Sequence, residues 1–557
     1  MEPNNSIYKN YFVSNTKLFY LENFHGYKKN MSFYSDIIDL ILSGSIQSKE
    51  DLHRAKIKLC SKYNLRQVPS DSEILQHIPE DLSENLEEKL IKILRRKPMR
   101  TISGVAIIAV MTSPKACPHG RCTPCPGGPQ SNTPQSYTGY EPAALRASRY
   151  NFDPYLQTKA RLNQLHSIGH DTDKIDLIIM GGTFTARPFY YQEWFIKRCL
   201  DALNDKVSSS LIEAQDLNES APHRCIGLTV ETRPDWFRLQ HVDQSLHLGA
   251  TRVELGVQTV YDDILYNIRR GHTVTDSIQA TRIAKESGLK VCYHMMPGLP
   301  GSDSNKDLEA FKTIFKNPNF KPDMLKIYPT LVIKGTELYK KWKKGEYQPL
   351  TNEKAVSLIS KIKTFVPEWV RIQRIQRDVP AQYIVAGVTK SNLRQLVEEE
   401  MRRRNKRCRC IRCREVGHKI LKENLEIEKE EISLKTIRYT ASGGEEVFIS
   451  LVEEENDALI GYLRLRDITH PHRRELLRYP CMIIRELKVV GREIPIGRIG
   501  DGWQHRGFGK ILIREAERIC REEFNKRYLF VLSGIGVKQY YRTLGFQDNG
   551  AYLMKVL

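Results

Sequence analysis

Between residues 102 and 375 the chain repeats one pattern, an apolar run of strand length followed by an amphipathic stretch of helix length. The runs are SGVAIIAVM (103–111), DLIIMGG (176–182), CIGLTVE (225–231), RVELGVQT (252–259), KVCYHMMPG (290–298), LKIYPTL (325–331) and VRIQRI (370–375). Between most of them lie helical periodicities such as 274–287 and 352–366. Buried β-runs alternating with helices predict βα units and a parallel sheet, here a partial (β/α) barrel over 99–390. In such folds the chemistry gathers at the C-terminal ends of the strands.

The rhythm differs on either side. Residues 1–98 read as mostly helical and basic; the polar, aromatic first thirty are expected to be a flexible extension, with Met31 an alternative start. In ENLEEKLIKILRRKPMR (84–100), Leu86, Leu90, Ile93 and Leu94 share one helix face, while Lys92, Arg95 and Arg96 fall largely on the other. Residues 391–425 are a charged, helical linker. From 426 to 557, strands such as EEVFISLVEE, ALIGYLRLRD and MIIRELKVVG precede a helix opening near 507, a second and smaller α/β domain.

A chain of 557 residues is too long for one core. Lysine and arginine exceed the acidic residues by 86 to 66, a formal charge of +20 that points to a polyanionic partner, nucleic acid first. No apolar run approaches the roughly 18 residues of a membrane span, and the first residues lack a signal-peptide core, so no membrane partner and a cytoplasmic location are expected. Of the twelve cysteines, six form two tight clusters, which suggests metal rather than disulfides. The six singles sit in apolar surroundings and read as core.

The first cluster, KACPHGRCTPCPGG (115–128), follows the first strand and so falls on the catalytic face. Cys117, Cys122 and Cys125 stand as C-x4-C-x2-C with no fourth cysteine near. A structural zinc wants four closed ligands, and read alone these cysteines leave open such a site completed by a remote fourth ligand. Three thiolates instead suit three irons of a [4Fe–4S] cluster, leaving one iron for an exogenous ligand. S-adenosylmethionine (SAM) is such a ligand in radical-SAM enzymes, where an electron from the cluster cleaves it to a 5′-deoxyadenosyl radical. Gly181, Gly182 and Thr183, in MGGTF at the second strand's end, would let backbone approach the SAM amino group. Glu231 ends the third strand at a place suited to ribose hydroxyls, and HMMPGLPG (294–301) gives a glycine-rich turn for adenine.

QHRGFGK (504–510) has Q-x-x-G-x-G spacing and opens a helix whose buried face is Ile513, Ala516, Cys520 and Phe524. Such a glycine-rich helix start favours a pyrophosphate. Placed after IRELKV and before GVKQYYRTLGF, it has the order of a GNAT-type acetyltransferase. In the linker, Cys408, Cys410 and Cys413 stand as C-x-C-x2-C, with His418 near enough to complete a Cys3His zinc site of structural role.

The cysteine loop with CPGGP, together with QSYTGYEPAALRA, MGGTF, ETRPD, VELGVQT, RRGHT and KIYPTLVIKGTELYKKW, resembles the catalytic subunit of the Elongator complex and its single-polypeptide homologues from archaea and bacteria. Two features depart from radical-SAM patterns generally. The spacing is C-x4-C rather than C-x3-C, and Thr183 stands where many such enzymes have glutamate. The resemblance implies acetyl-CoA contacts at Glu486, Leu487, Lys488 and Val489, at Phe508, Gly509 and Lys510, at Tyr540 or Tyr541, and at Lys174. The tyrosines would polarise the thioester or protonate the leaving thiolate. It further implies modification of the wobble uridine in a tRNA anticodon stem-loop. The radical would take hydrogen from the acetyl methyl, carbon would add at C5, and thioester hydrolysis would leave 5-carboxymethyluridine. Elongator-like accessory subunits or a homo-oligomer are the implied protein partners. The rival reading is a protein lysine acetyltransferase with a structural iron–sulfur cluster, which would make no use of SAM.

Overall fold

The computed structural model describes residues 32–79, 81–423, 431–497 and 502–557. The expected N-terminal extension and the alternative start at Met31 lie outside them. The chain divides into two compact units, one of residues up to 98 with 162–171, the other of 99–161 with 172–557.

The first unit is helical. Helices at 32–42, Lys49–Tyr63, Asp71–Leu75 and Glu84–Leu94 enclose Phe33, Ile37, Ile41, Leu52, Ile74, Leu90 and Leu94. Ser48 and Ser70 cap their helices in reciprocal boxes with Asp51 and Glu73. The cationic face expected on the last helix is narrower than its sequence suggests. The helix stops at Leu94, and Arg95 turns inward, where its Nε donates to the Gly169 carbonyl at 2.6 Å. Leu86, expected on the buried face, is 39% exposed.

The second unit opens with a seven-stranded parallel sheet: β1 Ala106–Met111, β2 Lys174–Met180, β3 Arg224–Thr232, β4 Arg252–Gln258, β5 Lys290–Met295, β6 Met324–Ile327 and β7 Arg371–Ile375. The strands lie in chain order and all seven predicted runs are present, as the partial barrel requires. Alternate residues divide sharply. Ile175, Leu177, Ile179, Val253, Leu255 and Val291 form one buried face. The other carries Asp176, Glu231, Arg252, Glu254, His294 and Lys326, joined by ion pairs. A packed barrel interior is filled mainly by branched apolar side chains. This one is charged.

The C-terminal sheet comprises β8 Ile432–Ala441, β9 Gly444–Glu453, β10 Ala458–Asp467, β11 Cys481–Val489, β12 Tyr528–Val531, β13 Gln547–Asn549 and β14 Tyr552–Val556. It is antiparallel except where β11 runs parallel to β12, from Cys481↔Tyr528 to Ile484↔Val531. Beyond Ile484 that ladder ends, so Glu486–Val489 stay paired only to β10. The helix α1, Phe508–Arg518, buries Leu512, Ile513 and Ala516 against this sheet.

The two sheets meet through buried charge. Arg485 of β11 donates to Asp323, just before β6, at 2.6 and 2.9 Å, and to Glu446 of β9 at 2.7 Å. Lys285 reaches both carboxylates at 3.3 Å. Arg466 pairs with Glu286 and, at 3.0 Å, with Glu446. The linker folds into the same seam. Glu415 pairs with Arg371 of β7, and the Ile411 amide donates to Val370 at 2.9 Å.

Candidate functional site

The loop after β1 brings three buried thiols to the C-terminal ends of the strands. Its turns close on themselves, Gly120 N–H to the Cys117 carbonyl and Cys125 N–H to the Cys122 carbonyl, both at 3.0 Å. Each sulfur has a polar neighbour. Cys117 Sγ lies 3.4 Å from Thr183 Oγ1, Cys122 Sγ 3.0 Å from His119 Nε2, and Cys125 Sγ accepts from Gln135 Nε2 at 3.1 Å. Burial, with Arg233 and Arg270 nearby, lowers the His119 pKa to about 3, so its imidazole is neutral and one ring nitrogen carries a proton. Arg270 also aims Nη1 at Cys122 Sγ, 3.6 Å away.

Thiols with N–H and O–H groups beside them suit thiolates that hold a cluster, whose potential such hydrogen bonds tune. The strand end beside them is cut back to make room. Gly181 and Gly182 have φ of +134° and +91°, and a Cβ on Gly182 would stand 3.2 Å from the Gln135 carbonyl and 3.8 Å from Cys117 Sγ. Thr112 Oγ1, Thr229 Oγ1 and Gln258 Oε1 are buried with no hydrogen-bond partner among the described residues. These orphaned atoms and the thiol set fit a polar ligand on a cluster.

Glu231 stands at the end of β3 as expected, and it is not alone. Tyr137 donates to its Oε2 at 2.8 Å and Lys326 to its Oε1 at 3.3 Å. Lys326 also pairs with Glu254, which accepts from His294 Nε2 at 2.7 Å. Burial alone would raise the Glu254 carboxyl, but Lys326, His294 and Arg252 hold it well below the carboxylate range. The sequence reading missed Tyr137, Glu254, His294 and Lys326. The last three stand on neighbouring strands on one face of the sheet, and period-2 alternation within each strand was the signal for that face.

The second cluster of predicted residues gathers around α1. Gly509 packs so closely that a Cβ there would stand 2.6 Å from the Tyr540 hydroxyl. Phe508 and Lys510 flank it. Gln504 accepts from Lys174 Nζ at 2.7 Å and from the Ile494 amide at 3.1 Å, and donates to the Val489 carbonyl at 3.2 Å. Lys174, which opens β2, thus braces the loop that carries the Q-x-x-G-x-G turn. The two tyrosines differ. Tyr541 is 6% exposed, packs on Phe546 and belongs to the core, whereas Tyr540 is partly exposed beside the helix start. On β11, Glu486 accepts from Arg464 at 2.8 Å and from Tyr462 at 3.1 Å, while Leu487, Lys488 and Val489 remain partly exposed.

In the linker, the sulfurs of Cys408, Cys410 and Cys413 all lie within 4.8 Å of one another, close enough to share one ion. His418 is not drawn into that set. On the helix Val416–Glu423, its Nε2 lies 3.4 Å from a Glu415 carboxylate oxygen.

Four family models match the chain: ELP3 N-terminal domain over residues 30–102, Radical SAM superfamily over 111–313, Radical_SAM C-terminal domain over 322–403 and Acetyltransferase (GNAT) family over 416–546. A tRNA uridine(34) acetyltransferase of Methanocaldococcus jannaschii is 56% identical over 495 residues, 88% of this chain and 90% of that protein. Elongator complex protein 3 of Schizosaccharomyces pombe is 42% identical over 531 residues, 94% of this chain and 97% of that one. Among solved structures, the archaeal Methanocaldococcus infernus Elp3 lacking residues 1–46 is similar with a TM-score of 0.74 at 51% identity. It covers 82% of this chain and 100% of that one.

Proposed function

The chain belongs to the Elongator complex protein 3 family, and from that premise we propose that it modifies C5 of the wobble uridine of tRNA with acetyl-CoA as carbon donor, giving 5-carboxymethyluridine. The observation that carries the reading is the joining of a three-thiol barrel site and a GNAT-family domain in one compact unit, through the buried Asp323–Arg485–Glu446 seam. A SAM-dependent step and an acyl-CoA-dependent step on one substrate need such a union.

Cys117, Cys122 and Cys125 would hold three irons of a [4Fe–4S] cluster. With SAM bound, that cluster supplies a 5′-deoxyadenosyl radical able to take hydrogen from a methyl group. The chain's own residues do the rest. Gln135 and His119 present N–H groups to two of the sulfurs, which steadies thiolate charge. Gly181 and Gly182 admit the SAM amino group, beside Thr183, and Glu231, oriented by Tyr137 and Lys326, accepts from the ribose hydroxyls.

In the acyl-CoA domain the amides of Phe508 and Gly509 at the start of α1, with Lys510 beside them, take the pyrophosphate. The open edge of Glu486–Val489 takes the pantetheine arm, and Lys174 holds Gln504 in place beneath it. Tyr540 is the group placed to protonate the leaving thiolate, since Tyr541 is spent on core packing. The basic N-terminal helices supply phosphate contacts to tRNA, whose loop uridine can be splayed out of the stack. The three linker cysteines would hold a structural zinc, with His418 the fourth ligand that the sequence offers. No described helix is long and apolar enough to cross a membrane, and the cytoplasmic tRNA pool is the substrate source, with accessory subunits or self-association completing the assembly.

The test is incubation of reconstituted, reduced protein with SAM, acetyl-CoA and unmodified tRNA, followed by assay of 5′-deoxyadenosine and nucleosides. 5-Carboxymethyluridine that requires all three supports the reading. Acetylated lysine in added proteins, with no tRNA-dependent product, would sink it in favour of the protein acetyltransferase.

A further inference from the structure

Among the described residues four aromatic side chains stand exposed, and each is on a segment that follows a barrel strand. Tyr140 lies in the loop after β1, Tyr190 and Trp194 on the helix Phe189–Asn204 after β2, and Tyr266 on the helix Asp262–Asn267 after β4. Single exposed apolar residues are ordinary, but Tyr140 is tied to the thiol site. Its segment is pinned there residue by residue. Gln135 donates to Cys125 Sγ at 3.1 Å, Arg377 to the Ser136 carbonyl, and Tyr137 to Glu231 at 2.8 Å. The Glu141 carboxylate accepts from the Thr138 and Gly139 amides at 3.0 and 3.1 Å, which fixes the turn between them. Only three residues beyond Tyr137, the Tyr140 Cα is at most about 10 Å from that residue's Cα.

The ring of Tyr140 stacks on Tyr383, centroids 3.7 Å apart and planes 7° from parallel. Tyr383 follows β7 and leads into the short strand Ile384–Ala386, which pairs with Val332–Ile333 past the end of β6. The pair therefore joins the two margins of the partial barrel at its strand-end face. Tyr383 covers one face of Tyr140, yet Tyr140 is 45% exposed, so its exposure falls on the opposite face and the rim. The cysteine loop beside it presents Lys115 and Arg121 to solvent, and Arg269 stands exposed one residue past Ile268, whose carbonyl accepts from the Thr123 amide at 2.9 Å. A flat ring face beside exposed cations has the chemistry of a single-stranded nucleic-acid site, where bases stack and phosphates pair. We propose that Tyr140, backed by Tyr383, is the stacking platform for an unpaired anticodon-loop base adjacent to the wobble uridine. The inference rests on the tRNA reading. Holding the neighbouring base flat at the rim frees the uridine from its own stack and directs it toward the thiol site, and since every base has a π-face the platform accepts purine or pyrimidine.

The experiment uses the full-length chain and an anticodon stem-loop RNA carrying 5-iodouridine at one loop position at a time. Irradiation and peptide mass spectrometry locate the crosslink, which is expected on Tyr140 from a position adjacent to the wobble uridine. In fluorescence anisotropy, Tyr140→Ala should weaken stem-loop binding roughly tenfold, the scale of one lost base stack, while Tyr140→Phe should stay within about twofold of the parent. The slope of log affinity against log salt should be the same in all three, because no phosphate contact is removed. Crosslinks from the adjacent positions that fall only on other residues overturn the proposal and leave the tRNA reading standing. So does an alanine variant that binds as tightly as the parent, or a phenylalanine variant as weak as the alanine one. Absence of stem-loop binding by the parent protein overturns both.

Discussion

Replacing Arg485 by methionine is expected to loosen the seam between the two sheets. Its guanidinium donates to Asp323 at 2.6 and 2.9 Å, to Glu446 at 2.7 and 3.2 Å, and to the Leu289 carbonyl at 2.8 Å. Its removal leaves two carboxylates, 0% and 1% exposed, to share Lys285 at 3.3 Å from each, with Arg466 still 3.0 Å from Glu446. One buried negative charge then lacks its counter-charge. Breaking a buried pair from one side costs about 3–5 kcal/mol, which is roughly two to four decades in the folded ratio. The pH dependence follows from the same groups. Burial alone would raise Asp323, but Arg485, Lys285 and Arg464 hold it well below the carboxylate range. In the parent protein this depressed pKa contributes stability above the unfolded value of about 3.9, lost as pH falls through the folded one. Without Arg485 one carboxyl takes a raised folded pKa, so the variant is penalised progressively as pH rises through it. The deficit should therefore be larger at pH 8 than at pH 5. Urea unfolding followed by tryptophan fluorescence measures it, since Trp503 lies 6% exposed in the C-terminal core. A deficit under about 1 kcal/mol at both pH values, the scale of an exposed pair, would refute the reasoning.

Other outcomes follow from single contacts. Gly509→Val should weaken acetyl-CoA binding at least tenfold by calorimetry, because its side chain would fill the space beside the Tyr540 hydroxyl; unchanged affinity would place the cofactor elsewhere. Gln135→Leu removes the N–H that Cys125 accepts at 3.1 Å, and the reconstituted cluster should titrate at a more negative potential. Tyr540→Phe should slow thioester cleavage by about 10²-fold, the low end of general acid catalysis, whereas Tyr541→Phe should leave it nearly unchanged. Cys410→Ser should cost the protein its bound zinc in elemental analysis while leaving iron uptake intact.

Much of the fold was legible because its signals are local. Seven apolar runs and the helices between them gave the barrel strand by strand, and Q-x-x-G-x-G located the helix at Phe508. Strands β8, β12, β13 and β14 were not anticipated, since three are short and β8 is polar on its exposed face. Residues that act through distant partners were the hardest to read. Arg95 looked like part of a phosphate-binding face until Gly169, 74 positions away, was seen to receive it. His418 sat at ligand spacing, and its Nε2 also lies near Glu415. The ion pairs of Glu254 and Lys326 join strands 72 residues apart, a distance over which spacing carries no information.

The seam around Asp323 also bears on how such a protein can be inherited or rebuilt. Domains that meet through exposed polar surfaces can be exchanged, duplicated or expressed apart. Here Asp323 comes from one half, while Arg485 and Glu446 come from the other, and all three are buried. Severing the chain at the linker would expose the counter-ions of each fragment and leave neither with a closed interior. Exchanging one half of this chain for a foreign one would leave buried charge without its counter-ion, and a substitution at one wall of the seam calls for an answering one at the other.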